Sequence, residues 1–331
     1  MLFFSFLPRL MTLILATGLL GLTGCDNPSA ANNKPTTAAP AESKADDQSL
    51  KPTEFDGQRA FESVRKQVEF GPHPAGSPAI KQVQKYIMDE LKSYGLTVKT
   101  QSFKPKTPIG SVEMLNIIGE LPGQSTERIL IASHYDTKPF KEFRFVGAND
   151  GGSSTGTLLE IARVMAKGEK PKDTIQFVFF DGEEAFCKEW DECLNGKDHT
   201  YGSQYFADDL KKNAQVSQVK ALILLDMIGD KGLQFKKQET STPWLTNIFW
   251  STGKRLGYDK TFNNGKDDVG GDDHMPFLQI GIPAIDLIHL PFPDTWHEPT
   301  DTLDHISAEN LKIVGDTVIR AIPQIEAYQN R

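Results

Sequence analysis

The 331-residue chain has few cysteines, a deficit of positive charge and no internal repeat. Its three cysteines allow at most one disulfide within the chain. The 36 basic and 44 acidic residues leave a net charge of -8, and phosphate binding requires a basic face. We therefore expect no nucleic-acid partner. The composition, 38% hydrophobic and 24% charged, is typical of an ordinary globular protein.

The first 24 residues are almost free of charge. Arg9 is the only charged side chain among them, and the apolar run 10–22 leads into Thr23, Gly24 and Cys25. An apolar run of this length that closes on small residues is typical of an export signal, with an uncleaved anchor as the alternative. Leu-Thr-Gly-Cys also resembles the bacterial lipoprotein processing site. We therefore predict a signal peptide at 1–24, lipidation of Cys25, and a membrane-anchored lipoprotein of the bacterial cell envelope that faces the periplasm.

Residues 25–53 contain almost no bulky apolar side chains. Such a segment cannot bury enough surface to fold, so we predict a disordered tether, followed by one folded domain at 54–331. In an exported chain Cys187 and Cys193 are close enough in sequence to pair. A disulfide that closes the loop around Trp190 and a pair of free thiols both remain open.

Apolar periodicity predicts strands that alternate with helices along 54–331. This alternation favours a single α/β domain with a mixed, mostly parallel central sheet and helices on both faces. The predicted helices are 55–70, 78–94, 153–165, 244–256, 272–278 and 311–325, and the predicted strands are 96–103, 114–121, 129–133, 174–180, 221–225 and 284–288.

Acids and histidines follow the ends of several predicted strands, and functional groups of parallel sheets gather at the carboxyl ends of the strands. Carboxylate and imidazole are zinc ligands, so their convergence would make a catalytic zinc site. Each residue also has an ordinary interpretation, such as a helix cap for Asp150, a solvated turn for the paired glutamates or a loop position for His297. The candidates are His134, Asp136, Asp150, Glu183, Glu184, Asp226 and His297.

The adjacent Glu183 and Glu184 come directly after a strongly apolar strand. Two neighbouring carboxylates in a buried position repel each other unless a cation lies nearby. One of them can then bind the metal while the other moves protons. Asp136, two residues after His134, is a candidate acceptor for the second ring nitrogen of that histidine.

The other histidines are weaker candidates. His73, His199, His289 and His305 lie in polar or proline-rich stretches and are interpreted as loop residues. His274 follows two aspartates that either cap a short helix or face the site.

These motifs resemble those of the family-28 zinc aminopeptidases and, more closely, of the glutaminyl-peptide cyclotransferases that share their fold. The resemblance extends over about residues 61–327, practically the whole predicted domain. It implies an enzyme that converts N-terminal glutamine of peptides or proteins to pyroglutamate and releases ammonia, with a zinc aminopeptidase as the alternative. The matching segments, in order, are HYDTK, GAND, FFDGEEAF, LLDMIG, DDHMPFL and PFPDTWH.

The resemblance also implies roles for individual residues. Zinc would be held by Asp150, Glu184 and His297, with Glu183 as the proton shuttle. An acid network of Asp226 and Asp272 would hold the substrate.

Further implications of the resemblance concern the pocket and the metal count. Trp190 and Trp296 would form the walls of the substrate pocket. One zinc is expected and two are possible, because His134 and Asp226 would hold a second ion in the aminopeptidases. Asp286 stands where animal cyclases have a histidine, so the acid network is not identical. A monomer is expected.

Overall fold

The structure is a computed structural model and describes residues 49–329. The predicted signal peptide, Cys25 and the tether as far as residue 48 lie outside this range. No helix between residues 49 and 329 is long and apolar enough to cross a membrane. The last residues of the predicted tether lie against the domain, since the amide and hydroxyl of Thr53 donate to Asp316 Oδ1 over 2.7 and 2.6 Å. The folded part therefore begins a few residues before the predicted boundary.

Seven α-helices and ten strands make up the described domain. The helices are α1 (Gly57–Phe70), α2 (Ile80–Ser93), α3 (Gly152–Lys167), α4 (Tyr201–Lys212), α5 (Pro243–Arg255), α6 (Met275–Gln279) and α7 (Ala308–Ala327). The strands are β1 (Thr97–Phe103), β2 (Lys106–Thr107), β3 (Gly110–Ser111), β4 (Met114–Leu121), β5 (Arg128–His134), β6 (Thr174–Phe180), β7 (Val219–Asp226), β8 (Phe235–Gln238), β9 (Phe262–Asp267) and β10 (Ala284–Ile288).

Six strands form the central sheet in the order β1-β4-β6-β5-β7-β10. The pairs within β6-β5-β7-β10 are parallel, while β1 and β4 pair antiparallel with their neighbours. The predicted mixed and mostly parallel sheet is therefore confirmed. Its carboxyl edge collects the ends of β5, β6, β7 and β10.

Both faces of the sheet are covered by helices. Along β5, Ile129 and Ile131 belong to the core cluster packed by α1, α2, α3, α5 and α7, whereas Leu130 and Ala132 belong to the cluster packed by α4 and α6. Successive strand residues point to opposite faces, so a continuous apolar run fits a strand buried on both sides. The sheet edge that carries the polar residues is thus held rigidly between two cores.

Local signals explain where the predicted helices begin. The Asp56 side chain accepts from the amides of Gln58 and Arg59 at the start of α1, and Pro243 opens α5, where its missing N–H costs nothing. The helix predicted at 272–278 begins only at Met275, which leaves Asp272 in the preceding loop. The amphipathic α4 and the small parallel pair β8–β9 were not predicted. Polar residues dominate Phe262–Asp267, so its sequence has no strand pattern.

Candidate active site and metal centre

The site lies at the point in the sheet where successive connections between strands run in opposite directions. From β5 the chain crosses to β6 on one side and then returns to β7 on the other side of β5. Loops that leave these strand ends in different directions open a crevice at the carboxyl edge, which is where ligands bind in such sheets. His134 ends β5, Asp226 ends β7, and Glu183 lies three residues beyond β6.

Asp150 is shared by two groups of possible metal ligands. In the first group, Asp150 Oδ2 lies 3.4 Å from His297 Nε2, which is 3.3 Å from Glu184 Oε1. In the second, His134 Nε2 lies 3.2 Å from both Asp150 Oδ1 and Asp226 Oδ1. Within each group, all three donor atoms lie within 4.8 Å of one another. The structure therefore brings together both ligand sets that the sequence suggests.

Backbone geometry places Asp150 against His134. The cap position of α3 is Gly151, with φ of 79°, and no side chain caps the helix, so the helix-cap interpretation of Asp150 is wrong. A Cβ on Gly151 would lie 2.9 Å from His134 Cε1. Glycine is therefore needed both for the left-handed backbone and for the close approach of the imidazole ring. His297 itself has φ of 56°, a strained conformation of the kind that collects at functional sites.

Glu183 stands beside the ligand groups without belonging to either of them. Its Oε2 lies 3.9 Å from His134 Nδ1. The amides of Glu183 and Glu184 donate to Asp136 Oδ1 and Oδ2 over 3.0 and 3.3 Å. Asp136 Oδ1 is 3.6 Å from His134 Nδ1, too far for a good hydrogen bond. Asp136 thus holds the backbone of the glutamate pair more directly than it holds His134.

Two further buried side chains support the ligands and were missed by the sequence reasoning. Asp301 accepts from the amides of Asn149 and Asp150 over 2.7 and 3.1 Å, which ties the Asp150 loop to the segment after His297. Lys138, 3% exposed, donates to the carbonyls of Ala185 and Cys187. Lys138 belongs to the matched HYDTK segment and Asp301 to the Pro-Thr-Asp-Thr segment at 299–302, which likewise resembles the two enzyme groups; these matches were the only available signal.

Lys138 also faces a ligand. Its Nζ is 3.6 Å from Glu184 Oε2, so a buried cation stands on the far side of that carboxylate.

The buried charges shift one another's pKa values strongly. Burial raises the pKa of Glu183 well above its ordinary value, and the nearby Glu184 and Asp272 add to this while His134 opposes it. Burial would also raise the pKa of Asp150, but its contacts with His134 and His297 lower it instead. Burial lowers the pKa of His297, yet Glu184 and Asp150 together raise it to about 10. Acidic side chains therefore outnumber basic ones in the site, and their combined charge attracts cations.

A cavity of about 560 Å³ opens above these groups. Trp190 stacks on His199 with ring centroids 4.1 Å apart, and Trp296 stacks on His297 at 4.3 Å. His199, predicted as a loop residue, therefore backs one wall of the cavity. The residues Asp150, Glu183, Glu184, Trp190, Asp226, Asp272, Trp296 and His297 all line it, so eight predicted site residues meet in one cleft.

The loop that carries Trp190 is closed by a disulfide between Cys187 and Cys193. The structure thus contains the disulfide that the sequence left open.

Among the other histidines predicted to lie in loops, His73 does so, whereas His289 forms an isolated β-bridge with Phe235. His73 and His289 are buried, and the Nδ1 of His73 lies 2.7 Å from the carbonyl of Gly71. His274 is fully buried behind Asp272, which faces the cleft and does not cap α6. His305 ends a short 3-10 helix at the surface side of the domain.

The donor atoms of the first group fit a zinc ion. Asp150 Oδ2 and both Glu184 oxygens are buried and have no hydrogen-bond partner. Orphaned buried carboxylate oxygens are costly unless a cation compensates them. Two carboxylates and one imidazole, with room for a fourth ligand on the cleft side, are a donor set typical of catalytic zinc.

Comparison with known proteins agrees with this geometry. A sequence model of peptidase family M28 matches residues 116–322, which include every proposed ligand. The chain belongs to peptidase family M28. A glutaminyl-peptide cyclotransferase from Dictyostelium discoideum is 30% identical over 286 residues, which cover 72% of this chain and 77% of that protein. Within the M28 family, the chain therefore belongs with the glutaminyl-peptide cyclotransferases, and the resemblance seen in the sequence is confirmed.

Solved structures of M28-type proteins share the fold. A glutaminyl cyclase from Acidobacteriales bacterium has a TM-score of 0.77 and 33% identity, and the match covers 88% of this chain and 99% of that chain. A protein from Parabacteroides distasonis described as a Zn-dependent exopeptidase has a TM-score of 0.75 and 30% identity, with coverage of 82% and 99%.

Proposed function

We propose that this protein is a zinc-dependent glutaminyl-peptide cyclotransferase that converts the N-terminal glutamine of peptides or proteins to pyroglutamate and ammonia. The observation that carries the proposal is the position of Glu183, a buried carboxylate that borders the ligand group Asp150–Glu184–His297 but is not part of it. A base held off the metal and facing an aromatic-walled cleft is what an intramolecular proton transfer requires.

One zinc ion at Asp150, Glu184 and His297 is the expected cofactor. When bound, it would supply a Lewis acid that polarises the side-chain amide carbonyl of the substrate glutamine. Lys138 and Asp301 hold Glu184 and Asp150 in place for it. The unpartnered oxygens of both ligands support this assignment.

The chain's own groups then perform the acyl transfer. Glu183 takes a proton from the substrate α-amine, whose nitrogen forms a bond to the side-chain carbonyl carbon. The bond from that carbon to the amide nitrogen breaks, and Glu183 returns the proton to the departing ammonia. Because the burial of Glu183 raises its pKa, its protonated form is a competent acid for this second step.

The cleft assists by holding the substrate folded. Trp190 and Trp296 flank the glutamine side chain, while Asp226 and Asp272 hold its amine and amide. Nucleophile and electrophile belong to one molecule, so a compact bound conformation removes much of the entropic barrier.

Replacement of Glu183 tests the assignment of the base. Glu183→Gln should abolish ammonia release from a glutaminyl peptide while elemental analysis still finds the zinc. The matched control is Glu113→Gln, since Glu113 is exposed and forms a surface ion pair with Lys104. Full activity of Glu183→Gln would refute the role of Glu183.

A zinc aminopeptidase is the second candidate, and the ligand group His134–Asp150–Asp226 favours it. His134 and Asp226, together with Asp150, would hold a second ion, and the two ions would supply Lewis-acid activation of a water for peptide hydrolysis, with Glu183 as the base. Gln-amide and Leu-amide offered side by side separate the two functions. Pyroglutamate formation without leucine release supports the cyclotransferase, whereas leucine release without pyroglutamate supports the peptidase.

We further propose that the protein is a monomeric lipoprotein attached to a bacterial envelope membrane through Cys25 and facing the periplasm. The uncharged N-terminal run and the Leu-Thr-Gly-Cys segment support this. Mass spectrometry of the mature N-terminus should find acyl chains on Cys25, and Cys25→Ala should remain unprocessed. Light scattering of the purified domain measures its molar mass and tests whether it is a monomer.

A further inference from the structure

A third group of metal-type donors lies behind the cleft, outside the proposed catalytic ligands. Donor atoms of Asp272, His274 and Asp286 lie within 4.8 Å of one another. All three side chains are buried, with exposed fractions of 4%, 0% and 1%. Asp272 and His274 come from the loop before α6, and Asp286 comes from the middle of β10.

Each member of this group has a buried atom without a hydrogen-bond partner. These atoms are Asp272 Oδ2, Asp286 Oδ1 and His274 Nδ1. Three such atoms within one small group of residues are unusual, because an unpaired polar group in the interior is destabilising. The nearby Asp226 and Asp273 add further negative charge around Asp272.

The histidine is oriented as a metal ligand would be. His274 Nε2 lies 3.1 Å from Thr240 Oγ1, which can accept its proton and leave a lone pair on Nδ1. His274 Nδ1 lies 3.8 Å from Asp286 Oδ2, too long for a hydrogen bond but short enough for both side chains to contact one ion. The same Asp286 oxygen accepts from Gln238 Nε2 over 3.5 Å, which leaves Oδ1 as the free oxygen of this side chain.

An entry route exists from the cleft. Asp272 lines the cleft together with Val269, Gly270 and Gly271. A Cβ added to either glycine would meet no atom within 4 Å, so the loop above the group is open. A hydrated cation in the cleft can therefore reach Asp272, the outermost member of the group.

We propose that Asp272, His274 and Asp286 form a second divalent-cation site, selective for zinc-like ions, whose occupation inhibits the enzyme. The set of two carboxylates and one imidazole suits zinc better than the harder magnesium or calcium ions, which prefer oxygen alone. An ion there neutralises Asp272 and turns its free oxygen away from the cleft. The inference that the ion inhibits the enzyme rests on the proposed cyclotransferase function, in which Asp272 holds the substrate. The inference that the three residues bind an ion does not depend on that function.

Zinc stoichiometry tests the site independently of activity. Equilibrium dialysis of the purified protein against rising zinc, followed by elemental analysis, should show a tight first ion and a weaker second one. Asp286→Asn should retain the first ion and raise the zinc concentration for half-saturation of the second at least about tenfold. Asp259→Asn is the matched control, because Asp259 is exposed and does not act on any of the three ligands, so its replacement should leave both ions bound.

The second ion could instead lie at His134 and Asp226, and the same variants separate these locations. Unchanged uptake of the second ion by Asp286→Asn, or uptake of only one ion by the wild-type protein, would overturn the site. If Asp286→Asn fails to fold, His274→Gln and an anomalous-scattering map of wild-type crystals at the zinc edge answer the same question. A peak beside His274 Nδ1 supports the site, and no peak there in zinc-soaked crystals overturns it.

Activity then tests the inhibition. Excess zinc should slow glutamine cyclisation by wild-type protein and by Asp259→Asn, but not by His274→Gln, which removes a ligand that has no role in holding the substrate. Equal inhibition of all three contradicts an inhibitory role for this site. A protein that binds two ions without any cyclase activity would instead contradict the proposed function and leave the cation site standing.

Discussion

Asp301 offers the sharpest test of how the ligand loops are held. Its two carboxylate oxygens accept from the adjacent amides of Asn149 and Asp150, and its own carbonyl lies 3.4 Å from the amide of Ala148. Asp301→Asn retains the shape but has one acceptor oxygen only. Its amide group would face a backbone N–H, so one hydrogen bond is lost and one buried donor stays unpaired.

The structure sets the size of this effect. Burial raises the pKa of Asp301 to about 7, so we assign each of its hydrogen bonds about 0.5–1.5 kcal/mol, while an unpaired buried donor costs about 1–3 kcal/mol. We expect the free energy of unfolding to fall by about 2–3 kcal/mol, or about 3–5 °C in melting temperature for a domain of this size. Because Asp150 is displaced with its loop, zinc affinity should weaken about 10–100-fold.

Differential scanning calorimetry and competition with a zinc chelator measure the two effects. Asp304→Asn is the control, because Asp304 lies in the same segment but is exposed. A variant that melts earlier yet binds zinc as tightly as the wild type would refute the inference that Asp301 positions the ligand. Rescue of activity by added zinc would support it.

Three further predictions concern neighbouring features. Lys138→Met leaves Glu184 without its buried cation, so the unfolding free energy should fall by about 3–5 kcal/mol in chemical denaturation. Cys193→Ser opens the loop around Trp190, so the KM for glutaminyl peptides should rise more than kcat falls, with a stability loss of about 2 kcal/mol. Burial lowers the pKa of His73 below 6.5, so the unfolded chain takes up its proton first and stability should drop as the pH falls below about 6.5, less so in His73→Gln.

Each of these predictions has an outcome that would contradict it, and the first also has a control variant. Lys170→Met at the exposed surface should be neutral, and equal stability of Lys138→Met would contradict the buried ion pair. An unchanged KM in Cys193→Ser would show that the pocket wall does not depend on the disulfide. Parallel pH–stability curves for wild type and His73→Gln would exclude His73 as the titrating group.

The sequence alone determined that the domain is built on a mixed, mostly parallel sheet and at which strand ends its functional groups lie. The apolar runs that end at His134, Phe180 and Asp226 are long enough to identify buried strands, and parallel strands expose their carboxyl ends at one edge. Two adjacent glutamates directly after such an apolar run are hard to explain by the stability of the fold alone. The fold and the relationship to the cyclotransferases followed from these local patterns.

The tertiary structure decided which distant groups meet. Asp301 reaches back about 150 residues to hold the Asp150 loop, His199 backs Trp190, and His274 faces Asp286 from another element. None of these contacts has a local signature, because a hydrogen bond between distant segments leaves no periodicity in either one. The sequence specifies each donor and acceptor, and only the packing of the helices on the sheet brings them within reach of one another.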